Sequence, residues 1–236
     1  MTNFTLLVRN RPRLTKQALD SLGTHEGMNV FILNDRSDEE TSDIVNEFCE
    51  SAPNRCALFC DRSYGTGPLR NMVIAQSEEV FHRGDYLYLS DNDVFFTPGW
   101  LEALIANYEL AWKHGFKVIG AYNHPFHQPF GDSVWGDSGL PGYTCVVRQI
   151  HALATQSMLM RWEVWDKYGP FCETPVDKVC QSEDVDFCNR ITKDGYKVGV
   201  VSPHLVYGTG ITNTFGEKIP GWELVKSQCP AGVLCE

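Results

Sequence analysis

The chain has 236 residues, 43% of them hydrophobic and 21% charged, with a formal net charge of −10. That length holds one well-buried α/β domain, and the composition is that of a globular protein rather than a disordered one. The acidic balance argues against nucleic acid recognised through its phosphate backbone, and no stretch approaches the ~20 apolar residues of a membrane span.

The N-terminus lacks the charged-then-apolar pattern of a signal peptide. Nine cysteines, with no Cys-x-x-Cys pair, fit neither a zinc ribbon nor a small disulfide framework. The sequence therefore reads as a cytoplasmic protein with free thiols.

Residues 4–8 predict a first strand, and Leu14, Ala18 and Leu22 then recur every four residues, as one helix face does. Arg9, Arg11, Arg13 and Lys16 form a basic patch there, which either faces a phosphate or lies solvated at a helix start. Residues 29–33 predict a second strand ending in Asn34-Asp35-Arg36-Ser37, with Ile44, Val45 and Phe48 marking the next helix. A weaker strand at 57–60 leads into the turn Tyr64-Gly65-Thr66-Gly67, then Pro68 at a first helical position and Leu69, Met72 and Val73 on one face. Residues 86–90 make the fourth strand. Alternating strands and helices with short connections predict an α/β fold, a mostly parallel central sheet flanked by helices. Asp35 and Asp91 then share one carboxyl edge, where open α/β sheets bind ligands.

Asp91 and Asp93 are one residue apart, so in an extended segment both carboxylates point the same way. Such a pair suits Mg2+ or Mn2+, with water and phosphate oxygens completing the shell; a polar turn would use the same residues. Residues 100–114 read as a helix and 117–121 as a return to the sheet. Residues 122–150 lack any period and read as a long loop region, functional or carrying strands of its own. His124, His127, Trp135 and Tyr143 in it are candidates for an acceptor site. A strand at 156–160 and a short helix at 161–168 precede a helix opened by Ser182, with Glu183 and Asp184 in its first turn. Residues 197–201 form the final strand; from Gly208 onward the glycine- and proline-punctuated chain reads as a mobile lid or frayed end.

Together Asn10-Arg11-Pro12, Asn34-Asp35-Arg36-Ser37, Gly67-Pro68-Leu69-Arg70-Asn71, Ser90-Asp91-Asn92-Asp93 with Pro98-Gly99-Trp100, Ser157-Met158-Leu159-Met160 before Gly169-Pro170-Phe171, and Ser182-Glu183-Asp184 resemble glycosyltransferase family 2 and its GT-A relatives over residues 4–207. The resemblance implies a single GT-A domain over 1–236, with a nucleotide-sugar-binding half at about 1–120, an acceptor-binding and catalytic half at about 121–207, and the lid or tail at about 208–236. It implies an inverting transfer of a sugar from a nucleoside diphosphate donor, UDP-linked by preference, to a hydroxyl of a glycan or other acceptor, with Mn2+ or Mg2+ as cofactor. It implies Asp35 on the uracil, Asp91 near the ribose, Asp93 on the metal, Arg70 and Asn71 at the nucleotide or behind the aspartate loop, and Asp184 as general base with Glu183 beside it. Arg9 joins the nucleotide contacts. Trp100 either stacks on a sugar or belongs to the core. Where relatives add a third metal ligand, a histidine, this chain has Gly208; His204 is the nearest substitute. Three other readings remain: a sugar-nucleotide pyrophosphorylase, weakened by the lack of a glycine-rich first loop; a nucleotide-sugar-binding protein whose catalysis has lapsed; and a transferase acting on modified bases in DNA.

Overall fold

The computed structural model describes residues 1–122, 129–137, 144–173, 183–212, 218 and 222–236. His124, His127, Tyr143 and the proposed cap Ser182 lie outside them.

Four strands, β1 (Thr2–Val8), β2 (Met28–Asn34), β3 (Arg55–Phe59) and β4 (Tyr86–Asp91), alternate with α1 (Pro12–Leu22), α2 (Glu39–Glu50) and α3 (Thr66–Phe81). They pair in parallel in the order β3-β2-β1-β4, with Val8 opposite Asn34 and Leu7 opposite Asp91. The chain builds outward from β1 to β2 and β3, then crosses back to place β4 on the other side. Such a reversal opens a crevice at the strand carboxyl ends, and it brings Arg9, Asp35 and Asp91 to one place.

The sheet continues through β9 (Ser157–Arg161), β6 (Phe116–Gly120), β10 (Lys197–Ser202), β8 (Thr144–Ile150) and β7 (Ser133–Asp137), in that spatial order. All but β8 and β9 run in one direction, so the expected mostly parallel sheet is present as a mixed one. Part of the stretch read as a loop is thus the antiparallel pair β7–β8. Its strands had no clean period, yet Val146, Val147 and Ile150 of β8 are buried and β8 pairs with β10. A second, two-stranded sheet joins β5 (Val94–Phe96) to β11 (Val206–Gly208), and fixes the segment after Asp93 against the end of the second half.

Helices cover both faces. Phe4, Leu6 and Val8 of β1 pack toward α1 and α4 (Trp100–Trp112), whereas Leu87 and Leu89 of β4 pack toward α3, α5 (Trp162–Tyr168) and α6 (Glu183–Lys193). This is the two-faced burial of an α/β layer structure. Trp100 is fully buried against Phe4, Tyr88 and Phe96, which settles it as core rather than a sugar platform.

The C-terminal end is not frayed. After α7 (Trp222–Gln228), Glu236 N donates to Thr209 O, Ile211 N donates to Glu236 O at 2.7 Å, and Leu234 N donates to Gln17 Oε1 at 2.7 Å. Backbone pairing therefore ties the last residues to the body. The expectation of free thiols is corrected in the same segment, where Cys229 and Cys235 form a disulfide. No helix among the described residues is long and apolar enough to cross a membrane.

Candidate active site

The crevice at the ends of β1, β2 and β4 holds a cavity of about 470 Å3. Arg9, Arg11, Asp35, Asp91 and Asp93 line it, together with the start of α3 at Gly65 and Thr66. Helix α3 has no side-chain cap, so its first N–H groups and the positive end of its dipole favour an anion.

Asp35 follows β2 and its side chain is only 5% exposed. Its Oδ2 accepts from Arg9 Nη1 at 3.2 Å and from Ser63 Oγ at 2.9 Å, while Oδ1 has no hydrogen-bond partner among the described residues. A buried carboxylate oxygen left unpaired costs free energy and is an acceptor in want of a donor.

Arg70 and Asn71 stand behind the cavity rather than on its wall. Arg70 is completely buried; its Nη1 donates to Ser90 O at 2.7 Å and its Nη2 to Asp91 Oδ1. Asn71 donates to Phe171 O and Glu173 Oε1 and accepts from Phe171 N, clamping the segment after α5. Arg70 thus stands behind the aspartate loop, whereas Asn71 holds a different segment. Burial pushes the Asp91 carboxyl up, and the Arg70 guanidinium opposes that shift.

Asp93 is held on both oxygens. Gln156 Nε2 donates to Oδ1 at 2.6 Å and Arg11 Nη1 to Oδ2 at 2.6 Å, with Arg11 Nη2 also donating to Thr212 O. Asn10 and Arg11 take left-handed φ values of 51° and 61°. That conformation costs a residue other than glycine about 1–2 kcal/mol. A network secures it: Asn10 N donates to Ser37 Oγ, Asp38 N to Asn10 Oδ1, and Asn92 Nδ2 to both Asn10 O and Thr15 Oγ1. The middle residue of Asp91-Asn92-Asp93 thus locks the bend from which Arg11 reaches Asp93.

The metal set expected from the sequence is not assembled. No cluster of three His, Cys, Asp or Glu side chains suited to a metal exists among the described residues. His204 packs edge-on against Tyr122 and Tyr207, at centroid distances of 5.4 and 6.2 Å, and does not border the cavity; burial pushes its pKa down. At Gly208, a Cβ would lie 2.7 Å from Tyr122 Oη, so the space of a third ligand is taken by a tyrosine ring. A cation on Asp93 Oδ2 would share that oxygen with the Arg11 guanidinium. Like charges about 4 Å apart near a protein surface repel by about 4 kcal/mol per unit pair. The residues present do not fit a protein-held divalent ion.

Glu183 and Asp184 open α6. Burial, and next the Asp184 charge, push the Glu183 carboxyl up, and it feels the charges of Arg70 and Asp91 as well. Adjacent helix positions project about 100° apart, so Glu183 and Asp184 point in different directions, and neither borders the cavity. Trp135, on edge strand β7, is 70% exposed. Nothing in the sequence singled out Gln156 or Tyr122, and Arg11 entered only through the basic patch and Asn10-Arg11-Pro12, without a role at Asp93. Arg11-Pro12 at a strand-to-helix bend was the available signal.

Residues 7–123 match the glycosyl transferase family 2 model. The chain carries a glycosyl transferase family 2 domain. No curated protein sequence matches the chain. The fold is similar to that of the mannosyltransferase PcManGT from Pyrobaculum calidifontis, solved with GDP-Man and Mn2+, at a TM-score of 0.58, 13% identity and coverage of 84% of this chain and 56% of that one. It is similar to S. aureus TarS 1-349, with a TM-score of 0.58, 15% identity and coverage of 88% and 60%. It is also similar to GalNAc-T7, solved with UDP, GalNAc and Mn2+, with a TM-score of 0.62, 12% identity and coverage of 85% and 42%. At these identities the likeness is one of fold, and the chain spans at most 60% of the length of these three.

Proposed function

We propose that the chain is an inverting glycosyltransferase that moves a sugar from a nucleoside diphosphate sugar, UDP-linked by preference, to a hydroxyl of a glycan or other acceptor. The observation that carries this reading is the switch-point cavity, whose wall joins the unpaired Asp35 Oδ1 to the Arg11–Asp93 pair and to Asp91, which Arg70 backs from behind. An ionised carboxylate accepts only, so Asp35 suits the imide N–H of uracil. The uncapped start of α3 and the half-exposed Arg9 offer positive potential for the diphosphate.

In the proposed reaction, the acceptor oxygen attacks the anomeric carbon while the bond from that carbon to the diphosphate oxygen breaks, its electron pair leaving with the nucleotide. Asp184 takes the proton of the attacking hydroxyl. A single in-line displacement inverts the anomeric centre and needs no protein nucleophile. The thiols of Cys49, Cys56, Cys60 and Cys188, none in a disulfide, support a reducing, cytoplasmic setting, in which the Cys229–Cys235 pair would be held reduced.

A thermal-shift panel of UDP, GDP, CDP and ADP tests the donor site. UDP is expected to stabilise the wild type; a ligand at ~100 times its dissociation constant adds about 2.7 kcal/mol. Asp35→Ala should weaken UDP about 10- to 100-fold, the loss of one hydrogen bond to a charged group. If no nucleotide raises the melting temperature, the reading fails.

A further inference from the structure

The acid expected to hold a metal has both of its oxygens taken by protein donors. Asp93, the second acid of Asp91-Asn92-Asp93, gives one oxygen to Gln156 and the other to Arg11. The Arg11 guanidinium borders the cavity, and its side chain is 18% exposed, so it is neither core nor free in solvent. Its position is built rather than incidental. The left-handed bend at Asn10 and Arg11 is held by Ser37, Asp38, Thr15 and Asn92, and the second guanidinium nitrogen is fixed by Thr212 O.

Two glycines keep the space for it. A Cβ at Gly210 would run into the Asp93 carboxylate and stand 2.9 Å from Arg11 Nη1. At Gly208 a side chain would meet the Tyr122 ring. A ligating side chain at Gly208 would thus meet a ring, and one at Gly210 would displace the Arg11–Asp93 pair.

We propose that Arg11 stands in for the divalent cation: its guanidinium, oriented by Asp93 and Thr212, binds the diphosphate of the donor and neutralises the charge of the departing nucleotide, so that donor binding is independent of metal. This rests on the nucleotide-sugar reading above. A guanidinium presents five N–H donors in a planar fork matched to phosphate oxygens and is charged at any working pH. It thus supplies the electrostatic part of a cation's role without a coordination shell. Asp93 acts as a positioning residue that aims the fork, and Arg9 at the cavity mouth adds a second positive charge.

The test is calorimetric titration of UDP, GDP, CDP and ADP into the full chain, in EDTA and in Mn2+, with wild type, Arg11→Gln and Arg11→Lys, alongside Mn2+ binding followed by electron paramagnetic resonance. For the best-bound nucleotide, the wild-type dissociation constant is expected to differ by less than about threefold between the two buffers. Wild type should show no nucleotide-linked Mn2+ site. Arg11→Gln should weaken binding in EDTA about 10- to 100-fold, with Arg11→Lys between the two. Wild-type affinity that rises tenfold or more with Mn2+, about 1.4 kcal/mol, overturns the proposal and leaves the donor site standing. Arg11→Gln binding as tightly as wild type in EDTA also overturns it. A wild type that binds none of the four nucleotides in either buffer overturns both this proposal and the transferase reading. The wild-type arms decide the matter even where a variant does not fold.

Discussion

Asp184→Asn is expected to lower kcat by about 10²–10⁴-fold while leaving the dissociation constant for UDP unchanged. Asp184 sits in the first turn of α6, where the helix dipole favours a negative charge, and its Oδ1 accepts from Val185 N at 2.7 Å. Asparagine keeps that acceptor and the side-chain shape, so the helix start should survive; what is lost is the ability to take a proton. Glu183 makes the contrast. Burial raises its pKa and the charges of Arg70 and Asp91 act on it, so Glu183→Gln is expected to perturb the aspartate loop rather than the base. The pair should separate in steady-state kinetics: Asp184→Asn lowers kcat at saturating donor, whereas Glu183→Gln mainly raises KM for the donor. Activity in Asp184→Asn equal to wild type would remove it as the base.

How much of this was legible beforehand depends on the range of the interactions concerned. Strands β1 to β4 and the helices between them announced themselves because each is a local pattern: an apolar run, a period of four, a glycine or proline at the boundary. Asp35 and Asp91 could be put on one edge from that alternation alone, since parallel order with right-handed crossovers leaves few topologies. The pair β7–β8 and the short strands β5 and β11 were not legible in the same way. Their stability comes from partners far along the chain, β10 for β8 and Val94–Phe96 for Val206–Gly208, and three residues carry no usable period. The same distinction runs through the site. Asp91 and Asp93 are a two-residue spacing, but the Arg11–Asp93 contact joins residues 82 apart. A basic residue before a proline does not say which carboxylate it will meet, and that meeting is what turns an expected metal site into a guanidinium site. Arg70 was named as a helper of the aspartate loop only through the resemblance carried by Gly67-Pro68-Leu69-Arg70-Asn71, and only the fold shows it sealed from solvent.

That sealing makes Arg70→Met the most destabilising single change expected. Breaking a fully buried ion pair by removing one partner costs about 3–5 kcal/mol, because the other charge is stranded. Asp91 keeps 33% of its side-chain surface exposed, so water screens part of the loss, and about 2–4 kcal/mol is expected here. Against the ~5–15 kcal/mol that holds a typical domain together, this is a large fraction. The loss has a pH signature. Burial already pushes the Asp91 carboxyl up, the Asp93 charge pushes the same way, and Arg70 pulls it down. Without Arg70 the folded-state pKa of Asp91 rises further above its unfolded value. A carboxyl raised on folding contributes stability that is present below its unfolded pKa and is lost as pH rises through the folded pKa. The deficit of Arg70→Met should therefore be full at about pH 7 and shrink toward about pH 4, close to an unperturbed carboxyl. Urea denaturation of wild type, Arg70→Met and the double variant Arg70→Met/Asp91→Asn at both pH values measures it. Removing the stranded charge should restore part of the stability at about pH 7. A double variant no more stable than Arg70→Met would mean that the guanidinium holds the fold through Ser90 O and its packing, and that its charge on Asp91 contributes little.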